Sequence, residues 1–301
     1  MEKSSPEITE LGLFIADFCQ LGYPQAVSGP VQAPCIQKTS YNAIFNDHHH
    51  HHHHHLIFIT IHQLLGNTME WIERPLSWLL ANRKGHDSGL IQNTPPFAEH
   101  PEPSVTVECP DFGPSGSQIP VKYSFFGENL FPTLKWSAPP AVAGDIQEWL
   151  LVVEDPDAPL AEPVVHGLYY GIPASKCSVS NEDFEPTAAG SQVLRGGFKY
   201  GANRRGTIYI PPRGMLGHGP HRYFFQVIGL LEPLVGSKLG AVATKAEIAG
   251  SIEGKVVAWG QWMGISATVP SNHLALALRP GADAGPEPGL QNGAVHKSVR
   301  A

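Results

Sequence analysis

Between residues 103 and 268 the chain is broken into short β-type runs by proline and glycine, and no arrangement of helices alternates with them. The runs are "SVTVE" (104–108), "IPVKYSF" (119–125), "EWLLVVED" (148–155), "VVHGLYYGI" (164–172), "GTIYI" (206–210), "RYFFQVIGL" (222–230) and "KVVAWGQWMGI" (255–265). All are rich in β-branched and aromatic residues, and turn residues separate them. One helical stretch, "GAVATKAEIAGSI" (240–252), lies between glycines. Seven strands with a single helix among them argue against a doubly wound parallel sheet. They predict a mainly β protein, an antiparallel two-sheet β-sandwich with a few short helices.

The flanks read differently. Residues 1–68 carry eight consecutive histidines, His48 to His55, and then "LIFITIHQLL", ten residues where a bilayer needs about 20. The first residues, "MEKSSPEITELGLFIADF", place acidic residues where a secretory signal has basic ones. This extension reads as low-complexity sequence, disordered or an artefact of the gene model. Residues 69–102 read as a short helix and a linker. Pro75 suits a first turn, Leu76, Leu79 and Leu80 recur at helical spacing, Gly85 ends the helix, and residues 86–103 connect it to the domain. Packing of that helix on the domain is the expectation, with attachment to a membrane surface as the other reading. Residues 269–301 form a Gly, Pro and Ala tail, read as disordered.

A net charge of -7 and the absence of a basic block argue against a nucleic-acid partner. Cys19, Cys35, Cys109 and Cys177 stand far apart, without metal-site or disulfide spacing, and suit reduced thiols in a cytoplasmic protein.

Three stretches bear chemistry. In "EDPDAPL" (154–160) the prolines stiffen the chain, and an extended backbone puts Asp155 and Asp157 on one face. The other reading is a turn whose aspartates bind backbone N–H groups. His166, in a strand, is either a satisfied core residue or a ligand contact, and Gly167 beside it leaves room for a close approach. In "LGHGPHRYFFQVIGL" (216–230) alternation places His221, Tyr223, Phe225 and Val227 on one face and Arg222, Phe224 and Gln226 on the other. An imidazole and a phenol beside a glycine loop offer donors to an anion. His218, three residues before His221, would suit a shared zinc, but so pliable a loop lacks the support a metal site requires, and no metal or cofactor is expected.

"LLVVEDPDAP", "VVHGLYYGIPA" and "GPHRYFFQVIGL", in that order, resemble the phosphatidylethanolamine-binding protein family, and the likeness covers about residues 103–268. The resemblance is nearer to the shorter bacterial-type branch and its fungal relatives (Raf kinase inhibitor-like proteins). The middle strand reads "VVHG" where animal members have a Trp and a His-His doublet, and a loose tail replaces their C-terminal helix. It implies a large antiparallel sheet on a smaller one, and a small anion pocket at one end. Ligand contacts would come from Asp155, Asp157, His166, His221 and Tyr223, with Pro211 and Pro212 on the rim. It also implies a non-catalytic binding protein for phosphorylated headgroups, such as that of phosphatidylethanolamine, or for phosphorylated or acidic peptide segments, with kinase or protease inhibition attributed to the family. The alternative is a hydrolase with His221 or His166 as base. Against it, no Ser or Cys stands in a nucleophile context.

Overall fold

The computed structural model describes residues 73–234 and 239–267. The expectations for residues 1–68 and 269–301 lie outside them. The described residues open with a helix, α1 (residues 73–79), and three 3-10 turns, Asp87–Gly89, Ile91–Asn93 and Pro95–Phe97. The strands are β1 (Thr106–Glu108), β2 (Leu134–Ser137), β3 (Glu148–Asp155), β4 (Val164–Pro173), β5 (Ser178–Val179), β6 (Lys199–Tyr200), β7 (His221–Leu230) and β8 (Val256–Ser266). Between the last two lies α2 (Lys245–Ser251), capped by Thr244 and Glu247, which exchange hydrogen bonds in a capping box.

Two antiparallel sheets form, with strand orders β1-β2-β5 and β6-β4-β3-β7-β8. β3, at the centre of the larger, is buried along its whole length. Its residues alternate between two apolar layers. Trp149, Leu151 and Val153 point into the core between the sheets, with Tyr223, Phe225 and Val227 of β7. Leu150 and Val152 point outward, to a second core closed by Ile91 and Phe97 from the 3-10 turns and Ile248 from α2. A strand buried on both faces loses the hydrophobic/polar alternation of a one-sided sheet, which is why "EWLLVV" is continuously apolar.

The segment 86–103, expected to be a linker, is therefore part of the domain. Leu90, Ile91 and Phe97 are buried, and the backbone N–H of Ile91 donates to the buried carboxylate of Glu154 at 2.8 Å. Its prolines and polar residues reflect tight 3-10 turns rather than solvation. "IPVKYSF" is not a strand either. The N–H of Tyr123 donates to Pro120 at 3.0 Å, and the Ser124 hydroxyl takes the Val121 carbonyl at 2.7 Å, so local bonds win over a ladder. "GTIYI" also forms no ladder and joins β4 by single bonds, the Ile210 N–H donating to the His166 carbonyl at 2.9 Å and the Tyr169 hydroxyl to the Ile208 carbonyl at 2.8 Å.

α1 packs on the domain, with a different face from the one its leucines suggest. Glu73 and Ser77 are buried, whereas Trp78 and Leu79 are 81% and 71% exposed. The buried face is polar because it meets open backbone groups. Ser77 donates to the Leu216 carbonyl at 2.7 Å, while Glu73 accepts from Arg213 at 2.7 Å and from the Leu216 N–H at 3.1 Å. Among the described residues no helix is long and apolar enough to cross a membrane.

Candidate functional site

Asp155 ends β3 on the face that carries Leu151 and Val153, and His221 opens β7 on the face of Tyr223 and Phe225. The strands are antiparallel neighbours, with Glu154 opposite Phe224, so both side chains meet at one end of the inter-sheet core. β4 brings the third member through a bulge. Val153 pairs with Gly167 and Glu154 with Val165, which leaves His166 as the extra residue and re-aims its ring. The room that Gly167 leaves is filled by Tyr169, since a Cβ there would lie 2.5 Å from the Tyr169 hydroxyl oxygen. It does not admit a ligand.

Asp155 does two jobs. One carboxylate oxygen accepts from the backbone N–H groups of Asp157 at 2.8 Å and Ala158 at 3.1 Å, closing the turn that is the alternative reading of these aspartates. The other accepts from His221 Nδ1 at 2.8 Å and lies 4.0 Å from His166 Nε2. His166 Nδ1 donates to the Ile210 carbonyl at 2.7 Å, so its neutral ring turns Nε2 toward Asp155 as an acceptor. Burial lowers the pKa of His166 despite the opposing pull of Asp155.

The cavity here has a volume of about 40 Å³, with Asp155, His166, Pro211, His221, Arg205 and Arg213 in its lining. A water needs roughly 10–15 Å³, so the space is a few waters in size. A shallower lobe of about 260 Å³ adjoins it, and Phe125, Arg205, Ile210 and Pro211 line both. Arg205 and Arg213 lie near each other beside Phe125, each guanidinium 5.4 Å from the ring centroid. Burial and the charge of Arg213 lower the pKa of Arg205.

Of the residues expected at the site, Asp155, His166, Pro211 and His221 line the cavity. Asp157 does not. The chain turns after Asp155 and carries Asp157 to the outer face, where Arg222 donates to it from Nε at 2.8 Å and from a terminal nitrogen at 2.7 Å. Burial alone would raise the Asp157 carboxyl, but the hydrogen bonds and charge of Arg222 outweigh it and hold it below the usual range. Tyr223 lies beneath the site, fully buried, its ring centroid 5.1 Å from that of His166 and 6.5 Å from that of His221. It supports the imidazoles and does not line the cavity. Pro212 is buried next to Pro211, and its carbonyl holds the Phe125 N–H at 3.0 Å. Sequence reasoning missed Arg205 and Arg213, which sit in irregular loops where no periodicity gives a direction; the one signal was the short "NRR" cluster.

His218 is turned inward by glycines at φ +86° and +89° on either side. Its Nδ1 meets His221 Nε2 at 2.9 Å, and its Nε2 meets the Leu80 carbonyl at 3.0 Å. These are hydrogen bonds, and among the described residues no group of three potential metal ligands forms.

Fold and site together define a two-sheet antiparallel sandwich with a small pocket, lined by apolar and charged side chains, at the end of its inner core. The family model described as phosphatidylethanolamine-binding protein matches residues 111–267, and the chain belongs to that family. It is 39% identical over 218 residues to the phomoidride biosynthesis cluster protein B of Talaromyces stipitatus, covering 67% of this chain and 88% of that protein. A protein of the same name from another fungus is 40% identical over 196 residues, 64% of this chain and 93% of the relative. A UPF0098 protein of Aquifex aeolicus is 31% identical over 155 residues, 50% of this chain and 82% of the relative.

Proposed function

We propose that the pocket binds the oxyanion head of a small acidic ligand, a carboxylate or a phosphate, while the rest of the ligand lies along the adjoining lobe. The observation that carries this is the lining itself, in which His166 and His221, backed by Asp155, share a cavity of about 40 Å³ with Arg205 and Arg213. Guanidinium groups match the planar oxygen pair of a carboxylate or phosphate, and partial burial strengthens the attraction. Phosphorylated headgroups such as that of phosphatidylethanolamine and phosphorylated or acidic peptide segments share this chemistry.

Because neutral His166 presents an acceptor, an anion binds best once that ring takes up a proton, so affinity should rise as pH falls from 8 to 6. Calorimetric titration with phosphate, phosphoethanolamine and short mono- and dicarboxylic acids at both pH values tests this. Arg205→Met should weaken the tightest ligand about ten- to a hundredfold, in line with the roughly 1.5–3 kcal/mol of a hydrogen bond to a charged group. Equal affinity in the variant, or no binding by any acid, overturns the reading.

A second reading is acid–base catalysis on such a ligand. It is supported by the His221–Asp155 contact of 2.8 Å, a carboxylate orienting an imidazole, and by the name of the two fungal relatives, which places them in a biosynthesis cluster. No serine, threonine or cysteine lines the cavity among the described residues, so hydrolysis through a hydroxyl or thiol nucleophile has no such group there. Incubation of each bound acid in D2O tests for proton transfer at carbon. Absence of deuterium uptake from every acid that binds removes this reading and leaves the binding module.

A further inference from the structure

Four polar groups form one hydrogen-bonded chain from α1 to the pocket wall: the Leu80 carbonyl, His218, His221 and Asp155, with successive separations of 3.0, 2.9 and 2.8 Å. A carbonyl oxygen only accepts, so His218 Nε2 carries a proton. At the other end the contact between His221 Nδ1 and the carboxyl group holds a second. The contact between the two rings requires a third, because two lone pairs at 2.9 Å repel. Two neutral imidazoles and a carboxylate supply only two. The chain therefore stores one proton more than neutral rings would bring, and the count is the same whether Asp155 or His221 holds it.

The surroundings say which ring takes the charge. Burial lowers the pKa of His218, with the Lys84 and His221 charges in the same direction and the Leu80 carbonyl and Asp155 against them. The Lys84 ammonium stays close by donating to the Pro220 carbonyl at 3.2 Å. On the pocket side the facing groups are Asp155, in direct contact, the His166 ring, and the Arg205 and Arg213 guanidinium groups of the same lining, which oppose a further cation; from α1 the nearby acid, Glu73, is already engaged with Arg213. The cation thus belongs on His221, against Asp155, with His218 as its neutral acceptor.

We propose that His218 is a positioning residue of the pocket: fixed in its Nε2–H form by the Leu80 carbonyl, it accepts the second N–H of His221 and so keeps His221 as an imidazolium in the pocket wall. The proposal rests on the reading of the pocket as an oxyanion site, to which that imidazolium contributes charge rather than an N–H, both nitrogens being engaged.

Nitrogen-15 NMR of the histidine rings in the full chain at pH 7.5, without ligand, tests it. Two N–H signals are expected for His221 in the natural protein. His218→Leu removes the acceptor and should abolish the second signal. In His218→Asn the amide oxygen can stand in the place of Nδ1, so the second signal should be retained although the bond to Leu80 is lost. A single N–H on His221 in the natural protein, or two N–H signals undiminished in His218→Leu, overturns the proposal. Titration with inorganic phosphate is the separate arm. If the natural protein shows two N–H signals but binds no phosphate or carboxylate, the oxyanion reading fails while the assignment of His218 stands.

Discussion

At Asp155 one side chain serves the turn with one oxygen and the imidazole with the other, and a single substitution separates the two. In Asp155→Asn the amide oxygen keeps the N–H groups of Asp157 and Ala158, while the NH2 faces His221 Nδ1 and forces that nitrogen to accept. The imidazolium is lost and the turn survives. Anion affinity should fall at least tenfold at pH 7, and stability should drop by only about 1–2 kcal/mol, measured by calorimetry and by urea unfolding. Loss of both together would make the residue purely structural. Asp157 behaves differently. Its pKa is depressed, so it contributes stability that is present above its unfolded value of about 3.9 and is lost as pH falls through the lower folded value. Between about pH 4 and pH 2 the natural protein should therefore lose stability more steeply than Asp157→Asn. The two midpoints followed against pH check this, and parallel curves would remove the Arg222 pairing as the cause.

Among the elements, α1 buries polar side chains and exposes large apolar ones, while the turns that follow bury apolar side chains within a linker-like composition. Trp78→Ser, in a side chain 81% exposed, should change stability by less than about 0.5 kcal/mol. Ile91→Ala, in a segment with the composition of a linker, should cost about 2–5 kcal/mol, because it opens a cavity under Leu150 and Val152. Urea melts of the two variants give both values, and a neutral Ile91→Ala would restore the linker reading. The long strands β3, β4, β7 and β8 were legible to within two residues at each end, since long apolar runs with β-branched and aromatic residues leave little choice. β2, β5 and β6 were not, because two to four residues in polar company carry too little pattern. The runs at 119–125 and 206–210 have strand composition, yet Pro120 and the Ser124 hydroxyl turn the first, and the second closes on His166 instead of a partner strand. Within the site, alternation placed His221 correctly, but the assumption of an extended chain through 155–157 put Asp157 on the wrong face. The bulge that re-aims His166 depends on pairing between strands, which a single strand's sequence does not encode.

Across the whole molecule, Glu154 ties the outer layers to the larger sheet. Fully buried, it accepts from the Ile91 N–H at 2.8 Å, from Gln226 at 2.8 Å and from the Lys245 ammonium, and that ammonium also reaches the Gly89 carbonyl. One carboxylate thus joins the 3-10 turns, β7 and α2. Lys245→Met leaves its charge compensated by neutral donors alone and should cost about 1.5–3 kcal/mol. The pocket proposed to bind an oxyanion lies on the opposite face of β3 and should keep its ligand response. Thermal melts with and without phosphate distinguish the two, and a lost phosphate response in Lys245→Met would show that the layers are coupled through the sheet.

The strand order β6-β4-β3-β7-β8 also bears on how the chain acquires its structure during synthesis. β3 waits for β7 across some seventy residues, as Glu154 pairs with Phe224, and the N–H of Val105 reaches the carbonyl of Trp259 from near the other end of the domain's sequence. Neither core can close until the last strand has emerged, and contacts so distant in sequence slow folding toward the millisecond-to-second range. A nascent chain halted before His221 would present the apolar faces of β3 without their neighbour, and that intermediate is where a holding chaperone would be needed.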